Sequence, residues 1–277
     1  MLRLAIRVTR AQSELVLAEL LELVPTGLEE VTLADGLVEY AVYGAPGELP
    51  SLPALRAVAG EALVEVRTDE LPDDFSERWR RFHRPLVIDH RLTVRPPWEP
   101  PGGTQIDVVI DPGQAFGTGA HATTRLCLEL LLTLEPEGAL IDLGCGSGVL
   151  AIVATKLGWG PVCALDNDPA ALAATAENAR ANDVQLETRR FDLRHETIPE
   201  APAVAANLLA PLLRAWAAAL TEPLPKRLIA SGLLAPEADG VLAAFAARGL
   251  AQRERRTRGE WAALLLGADA GRPSRRR

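Results

Sequence analysis

The 277-residue chain contains no run of 18 or more uninterrupted apolar residues, so no membrane-spanning helix is expected. The nearest candidate, 201–220, is broken by Pro202, Asn207, Pro211 and Arg214, and suits a strand followed by a helix. The opening residues Met1-Leu2-Arg3-Leu4-Ala5-Ile6-Arg7 lack the apolar run and cleavage site of a signal peptide. Cysteine is scarce. Cys127, Cys145 and Cys163 stand singly among apolar residues, at neither metal nor disulfide spacing, so no metal centre or disulfide framework is expected. These absences point to the cytoplasm. Apolar residues are not lacking: at 48% hydrophobic and 24% charged, the chain can bury a core, which excludes disorder or a collagen-like repeat throughout. At roughly 100–200 residues per domain, the length implies one large domain or two unequal ones.

Positive charge is missing from one end. Residues 1–69 hold 5 Arg against 11 Asp and Glu, while 70–105 balance 6 against 6. The whole chain is at -8. An acidic N-terminal third repels a phosphate backbone and attracts a basic partner. The same acidity also serves as a plain solvated surface that keeps the protein soluble.

The apolar pattern divides the chain into four parts. Leu4, Ile6 and Val8 alternate with Arg3, Arg7 and Thr9 as in a half-buried strand. A helix over 13–23, a hairpin turning at Asp35-Gly36, a helix over 53–59 and a strand over 62–67 follow. This β-α-β-β-α-β order predicts a small ferredoxin-like α+β domain over 1–67. Residues 68–105 read as a linker with a short helix over 76–83 and a strand over 86–94. Its Arg78, Arg80, Arg81 and Arg84, interleaved with Trp79 and Phe82, fit either an RNA contact or an amphipathic helix whose aromatics pack while the arginines stay wet. From 106 to 267, apolar strands alternate with helices, which predicts an α/β, Rossmann-like parallel sheet with ligands at the carboxyl ends of its strands. Residues 268–277 read as a disordered basic tail.

One segment carries the chemistry. In Leu140-Ile141-Asp142-Leu143-Gly144-Cys145-Gly146-Ser147-Gly148 an apolar strand runs into a glycine-rich turn, and a helix begins near Gly148. Glycines there let the backbone approach a ligand closely. A dinucleotide fingerprint would put its third glycine at 149, which is Val149. The spacing fits instead the D-x-G-x-G-x-G loop of class I S-adenosylmethionine-dependent methyltransferases. The next strand ends in Asp166, 22 residues after Gly144, where a carboxylate can accept from both ribose hydroxyls. Asn207 ends the fourth strand. Upstream, 111–125 combines turn residues with hydroxyl and imidazole groups ahead of a helix. It reads either as a helix start capped by Thr123 or Thr124, with His121 an ordinary surface residue, or as a lid in which Phe116 excludes water.

Phe116-Gly117-Thr118-Gly119-x-His121-x-Thr123-Thr124, followed by the glycine loop, resembles the bacterial PrmA-type methyltransferases that modify large-subunit ribosomal protein eleven. Asn207-Leu208-Leu209-Ala210, Ser231-Gly232-Leu233-Leu234, Glu260-Trp261 and the linker's Trp79, Arg84-Pro85 and Trp98-Glu99 stand where that family has similar segments. The resemblance runs from about 73 to 266, and 1–67 agrees in expected topology alone. It implies that Phe116, Gly117, Thr124, Gly144, Gly146, Asp166 and Asn207 bind S-adenosylmethionine, and that residues 1–67 recognise a basic ribosomal protein substrate. It further implies methylation of lysine or other amino groups, by a monomer, without direct nucleic-acid or membrane binding. Many amine methyltransferases carry N-P-P-aromatic after the fourth strand, whereas Asn207 is followed by Leu208-Leu209, as in this family.

An amine can attack the sulfonium methyl only when deprotonated. Asn207 is the candidate that orients its lone pair, and His121 or solvent the candidate proton acceptor. Another basic protein, an RNA or a small molecule stands as the alternative substrate.

Overall fold

A computed structural model describes residues 2–13, 16, 17, 20, 28–33, 36–44, 49, 50, 52–70, 84–112 and 121–268. The chain divides into two compact units, Met1–Phe82 and His83–Arg277.

In the first unit, β1 (Leu2–Thr9), β2 (Glu29–Thr32), β3 (Leu37–Gly44) and β4 (Leu63–Glu70) form an antiparallel sheet in the order β2-β3-β1-β4. The expected alternation builds it: Leu4, Ile6 and Val8 are buried beside Val38, Tyr40 and Val42, with Leu55 and Ala59 of helix α1 (Leu52–Ala59) in the same core. Of the helix expected over 13–23, residues 13, 16, 17 and 20 are described and helical, and Val16 and Leu20 join the core. The Tyr40 hydroxyl donates to the Ser13 carbonyl at 2.9 Å. Arg3 and Arg7 both donate to the nearly buried Glu39, and Arg7 also donates to Glu65 at 2.6 Å. Burial pushes the Glu39 carboxyl up, but the two guanidiniums outweigh it and hold it below the usual carboxylate range.

The second unit starts inside the stretch read as a linker. The single strand expected over 86–94 is two, β5 (Leu86–Ile88) and β6 (Leu92–Arg95), because Asp89 and His90 take positive φ and turn the chain. β6 pairs in parallel with β7 (Ile106–Val109), giving a three-stranded sheet that alternation alone did not suggest. The helix expected over 76–83 and the basic tail beyond 268 lie outside the described residues.

Seven strands then make the main sheet: β8 (Leu140–Leu143), β9 (Val162–Asp166), β10 (Glu187–Arg190), β11 (Ala203–Asn207), β12 (Arg227–Leu234), β13 (Leu250–Arg258) and β14 (Trp261–Ala268). Their order is β10-β9-β8-β11-β12-β14-β13, parallel except for β14, which runs antiparallel to both its neighbours. This is the class I methyltransferase arrangement of a Rossmann-like sheet. Helices α2 (Ala122–Leu131), α3 (Val149–Leu157), α4 (Pro169–Ala181), α5 (Ala210–Ala219) and α6 (Ala238–Ala246) connect it. Two apolar clusters sandwich the sheet. One joins Leu126, Leu130 and Ile152 of α2 and α3 to the β5–β7 sheet; the other joins Leu213 and Trp216 of α5 to Val241 and Phe245 of α6. Strand order reverses between β8 and β11, which opens a crevice at their carboxyl ends. Among the described residues, no helix is long and apolar enough to cross a membrane.

Candidate active site

The glycine loop is held from three sides. Gly144 and Cys145 donate their backbone N–H groups to the Leu165 carbonyl at 2.8 and 3.1 Å, which ties the loop to the end of β9. Gly144 has φ +73, and a Cβ there would lie 2.5 Å from the Leu208 side chain, so only glycine admits both the turn and the approach of the β11–α5 connection. From α4, the Thr175 hydroxyl donates to the Gly146 carbonyl at 3.0 Å, and the Asn178 amide donates to the Ser147 carbonyl at 2.9 Å.

Asp166 ends β9 beside this loop. Its two oxygens accept the Gly146 and Asp168 N–H groups, each at 3.0 Å. A carboxylate offers about four acceptor sites, so the carboxylate is oriented while retaining capacity for hydroxyl donors. Asp142, deeper on β8, is buried. One oxygen accepts the Ala151 N–H at 3.0 Å, and the other has no partner among the described residues. Burial raises its carboxyl to about 7, and the nearby Asp166 charge adds to the shift.

Asn207 ends β11. Its side-chain nitrogen donates to the Thr124 hydroxyl at 3.3 Å, and its side-chain oxygen is buried without a hydrogen-bond partner among the described residues. A bulge in β12 positions this corner: Leu208 donates to the Ser231 carbonyl at 2.9 Å, and Gly232, at φ +84, lies so close that a Cβ would sit 2.4 Å from the Leu208 carbonyl oxygen. Thr124, Gly144, Gly146, Asp166 and Asn207 thus line one cavity of about 230 Å³, with Val149, Leu150, Phe191, Leu193 and Leu212 as apolar walls.

Two of the expected binding residues, Phe116 and Gly117, lie outside the described residues. His121 is not among the cavity's lining residues. It is the N-cap of α2, in place of the Thr123 or Thr124 cap read from the sequence, and both threonines are buried. Its Nδ1 accepts the Thr123 N–H at 3.4 Å and meets the Thr123 hydroxyl at 2.8 Å, while its ring packs edge-on against Trp261 with centroids 4.8 Å apart. Burial lowers its pKa, which favours the neutral ring that capping needs. Thr175 and Asn178 were not singled out from the sequence. Their spacing of three on a helix otherwise rich in alanine was the available signal.

A family model described as Ribosomal protein L11 methyltransferase (PrmA) matches residues 54–268. The chain belongs to this family. Among curated proteins it is 39% identical over 206 residues to a ribosomal protein L11 methyltransferase of Heliobacterium modesticaldum, a match covering 72% of this chain but 65% of that relative's length. It is 40% identical over 250 residues to the ribosomal protein L11 methyltransferase of Pelotomaculum thermopropionicum, covering 85% and 81% of the two chains. Among solved structures it resembles a ribosomal protein L11 methylase from Lactobacillus delbrueckii subsp. bulgaricus, with a TM-score of 0.61 and 26% identity over 67% of this chain and 99% of that one.

Membership of this family places the chain among methyltransferases, and the cofactor expected from its glycine loop is S-adenosylmethionine. The cavity suits that molecule chemically. Apolar walls fit a purine, an oriented carboxylate fits ribose hydroxyls, and a turn without Cβ atoms admits the cofactor's amino-acid part.

Proposed function

We propose that this family member transfers methyl groups from S-adenosylmethionine to lysine or other amino nitrogens of ribosomal protein L11, as a monomer in the cytoplasm, without direct nucleic-acid binding. The observation that carries this reading is Asn207, a residue lining the cavity whose side-chain oxygen has no hydrogen-bond partner among the described residues. Family membership supports the choice of protein substrate.

The residues divide the work. Asp166 would accept from the ribose hydroxyls, the 144–148 turn would hold the amino-acid end, and Phe191 and Leu193 would flank the purine. The bound cofactor supplies an electrophilic methyl on a sulfonium, so the chain's chief task is alignment. Thr124 fixes the Asn207 amide nitrogen at 3.3 Å, leaving its oxygen to accept an N–H from the incoming amine and aim the lone pair. A neutral amide oxygen selects an N–H donor without trapping it as a charged pair, as a carboxylate would. The poorly hydrated walls disfavour the ammonium form, which cannot attack. His121 is engaged in capping α2, and we assign it no proton-transfer step. Residues 1–67 would select the target and take no part in the chemistry.

A truncated chain starting near residue 84 separates these roles. It should bind cofactor as the full chain does but methylate L11 far more slowly; full activity on L11 would show that the first unit does not select the substrate.

A further inference from the structure

Helix α4 and its C-cap bury three polar side chains, Thr175, Asn178 and Asn182. Buried amides are costly unless satisfied, and two of these bridge distant parts of the chain. Asn178 donates to the Ser147 carbonyl of the cofactor loop at 2.9 Å, and its side-chain oxygen accepts the Asp111 N–H at 3.0 Å. Asn182 brackets Val109, accepting its N–H at 2.8 Å and donating to its carbonyl at 2.6 Å, and it also donates to the Asn178 carbonyl. Asp111 lies just past β7, and ten residues further on His121 caps α2, where Thr124 holds Asn207. One amide therefore joins the cofactor loop to the end of β7.

We propose that Asn178 is a positioning residue for cofactor binding: it ties the cofactor loop at Ser147 to Asp111 just past β7, so that the loop geometry is set against that strand. The inference rests on the cofactor reading above and is independent of which amine is methylated. Asn182 makes three side-chain hydrogen bonds, two to Val109 of β7 and one to the Asn178 carbonyl, against the two of Asn178, but none of the three reaches the loop. A merely structural role therefore ranks the two residues by bond count, whereas a positioning role ranks them by contact with the loop.

The test measures S-adenosylmethionine binding by calorimetry, and melting temperature, for the full chain and for Asn178→Ala and Asn182→Ala. Asn178→Ala should weaken cofactor binding about tenfold, while Asn182→Ala keeps wild-type affinity despite an equal or larger loss of melting temperature. Equal losses of affinity, or wild-type affinity in Asn178→Ala, would overturn the proposal. Should Asn178→Ala fail to fold, hydrogen exchange on the unaltered chain decides. Saturating cofactor should slow exchange of the Asp111 amide together with the loop amides, and protection of the loop with no change at Asp111 would refute the coupling. An absence of both heat and protection in the wild-type chain would instead refute the cofactor reading itself.

Discussion

Side-chain links on the sheet of the first unit and around the cavity of the second differ in how much they rely on charge. On the sheet of the first, Glu39 is ionised and shared between Arg3 and Arg7, with Glu65 completing a charged ladder at its exposed end. Around the cavity of the second, Asp166 apart, the connecting groups are neutral: Thr124 with Asn207, Thr175 and Asn178 with the glycine loop, Asn182 with β7. Ion pairs with exposed partners are long-ranged but screened by salt and contribute little, about 0–1 kcal/mol each. Neutral hydrogen bonds in a dry interior are short-ranged and directional, and leaving one unmade costs about 1–3 kcal/mol. Under the proposed function, each device has a use: long-ranged charge to attract a basic protein, and directional neutral bonds to aim a lone pair.

The largest expected effect falls on the neutral corner. Replacing Asn207 with Ala removes a cavity-lining amide whose oxygen has no partner among the described residues, and kcat for L11 should fall roughly 100- to 1,000-fold. Calorimetry should show cofactor affinity within a few-fold of wild type, since Asp166 and the loop are untouched. Next, Gly232→Ala forces a Cβ against the Leu208 carbonyl at a positive φ. The displaced Asn207 corner should lose roughly 100-fold in activity, and steady-state kinetics on a folded sample checks this. Asp166→Ala removes a charge-assisted acceptor worth roughly 1.5–3 kcal/mol. Cofactor affinity should drop at least about tenfold with the fold retained by circular dichroism, and unchanged affinity would refute its place on the ribose.

Asp142 sharpens the contrast, because burial raises its carboxyl to about 7. Its folded pKa, about 7, lies above that of the unfolded chain, so its contribution to stability is complete at acid pH. That contribution is lost as pH rises from about 4 to about 7. Melting temperature should therefore show a downward component across that window, absent in Asp142→Asn. The smallest effect lies in the charged unit. Glu29, Glu30 and Glu65 are exposed, and replacing all three with Gln should flatten the fall of kcat/KM for L11 as salt rises, while leaving cofactor affinity unchanged. Better RNA methylation by that variant, with L11 unaffected, would argue for a nucleic-acid substrate.

What the sequence revealed of this architecture follows from how each signal is written. The D-x-G-x-G-x-G turn, Asp166 and Asn207 sit at strand ends, where apolar runs stop abruptly, so their positions could be read residue by residue and they meet in one cavity. The first unit's sheet was legible because Leu4, Ile6 and Val8 alternate with exposed or half-buried partners. β13 went unrecognised because Gln252, Arg253, Glu254, Arg255, Arg256, Thr257 and Arg258 make an edge strand with almost no apolar face. β5 and β6 ran together because nothing in Asp89-His90 announces a positive φ as a glycine would. The cap on α2 was placed two or three residues late, since threonine is the commoner cap and imidazole can also accept an N–H. Asn178 and Asn182 were not singled out, because nothing in the sequence says what their amides meet. Only the tertiary fold shows that β7 and the glycine loop consume their hydrogen bonds.

The central claim is tested most directly by incubating the purified chain and S-adenosylmethionine with an equimolar mixture of large-subunit ribosomal proteins and ribosomal RNA, followed by mass spectrometry of every component. Methyl-sized mass increments should appear on L11, at amino nitrogens, with the wild-type chain and vanish with Asn207→Ala. Methylation of the RNA, or of other proteins with L11 unmodified, would contradict the account.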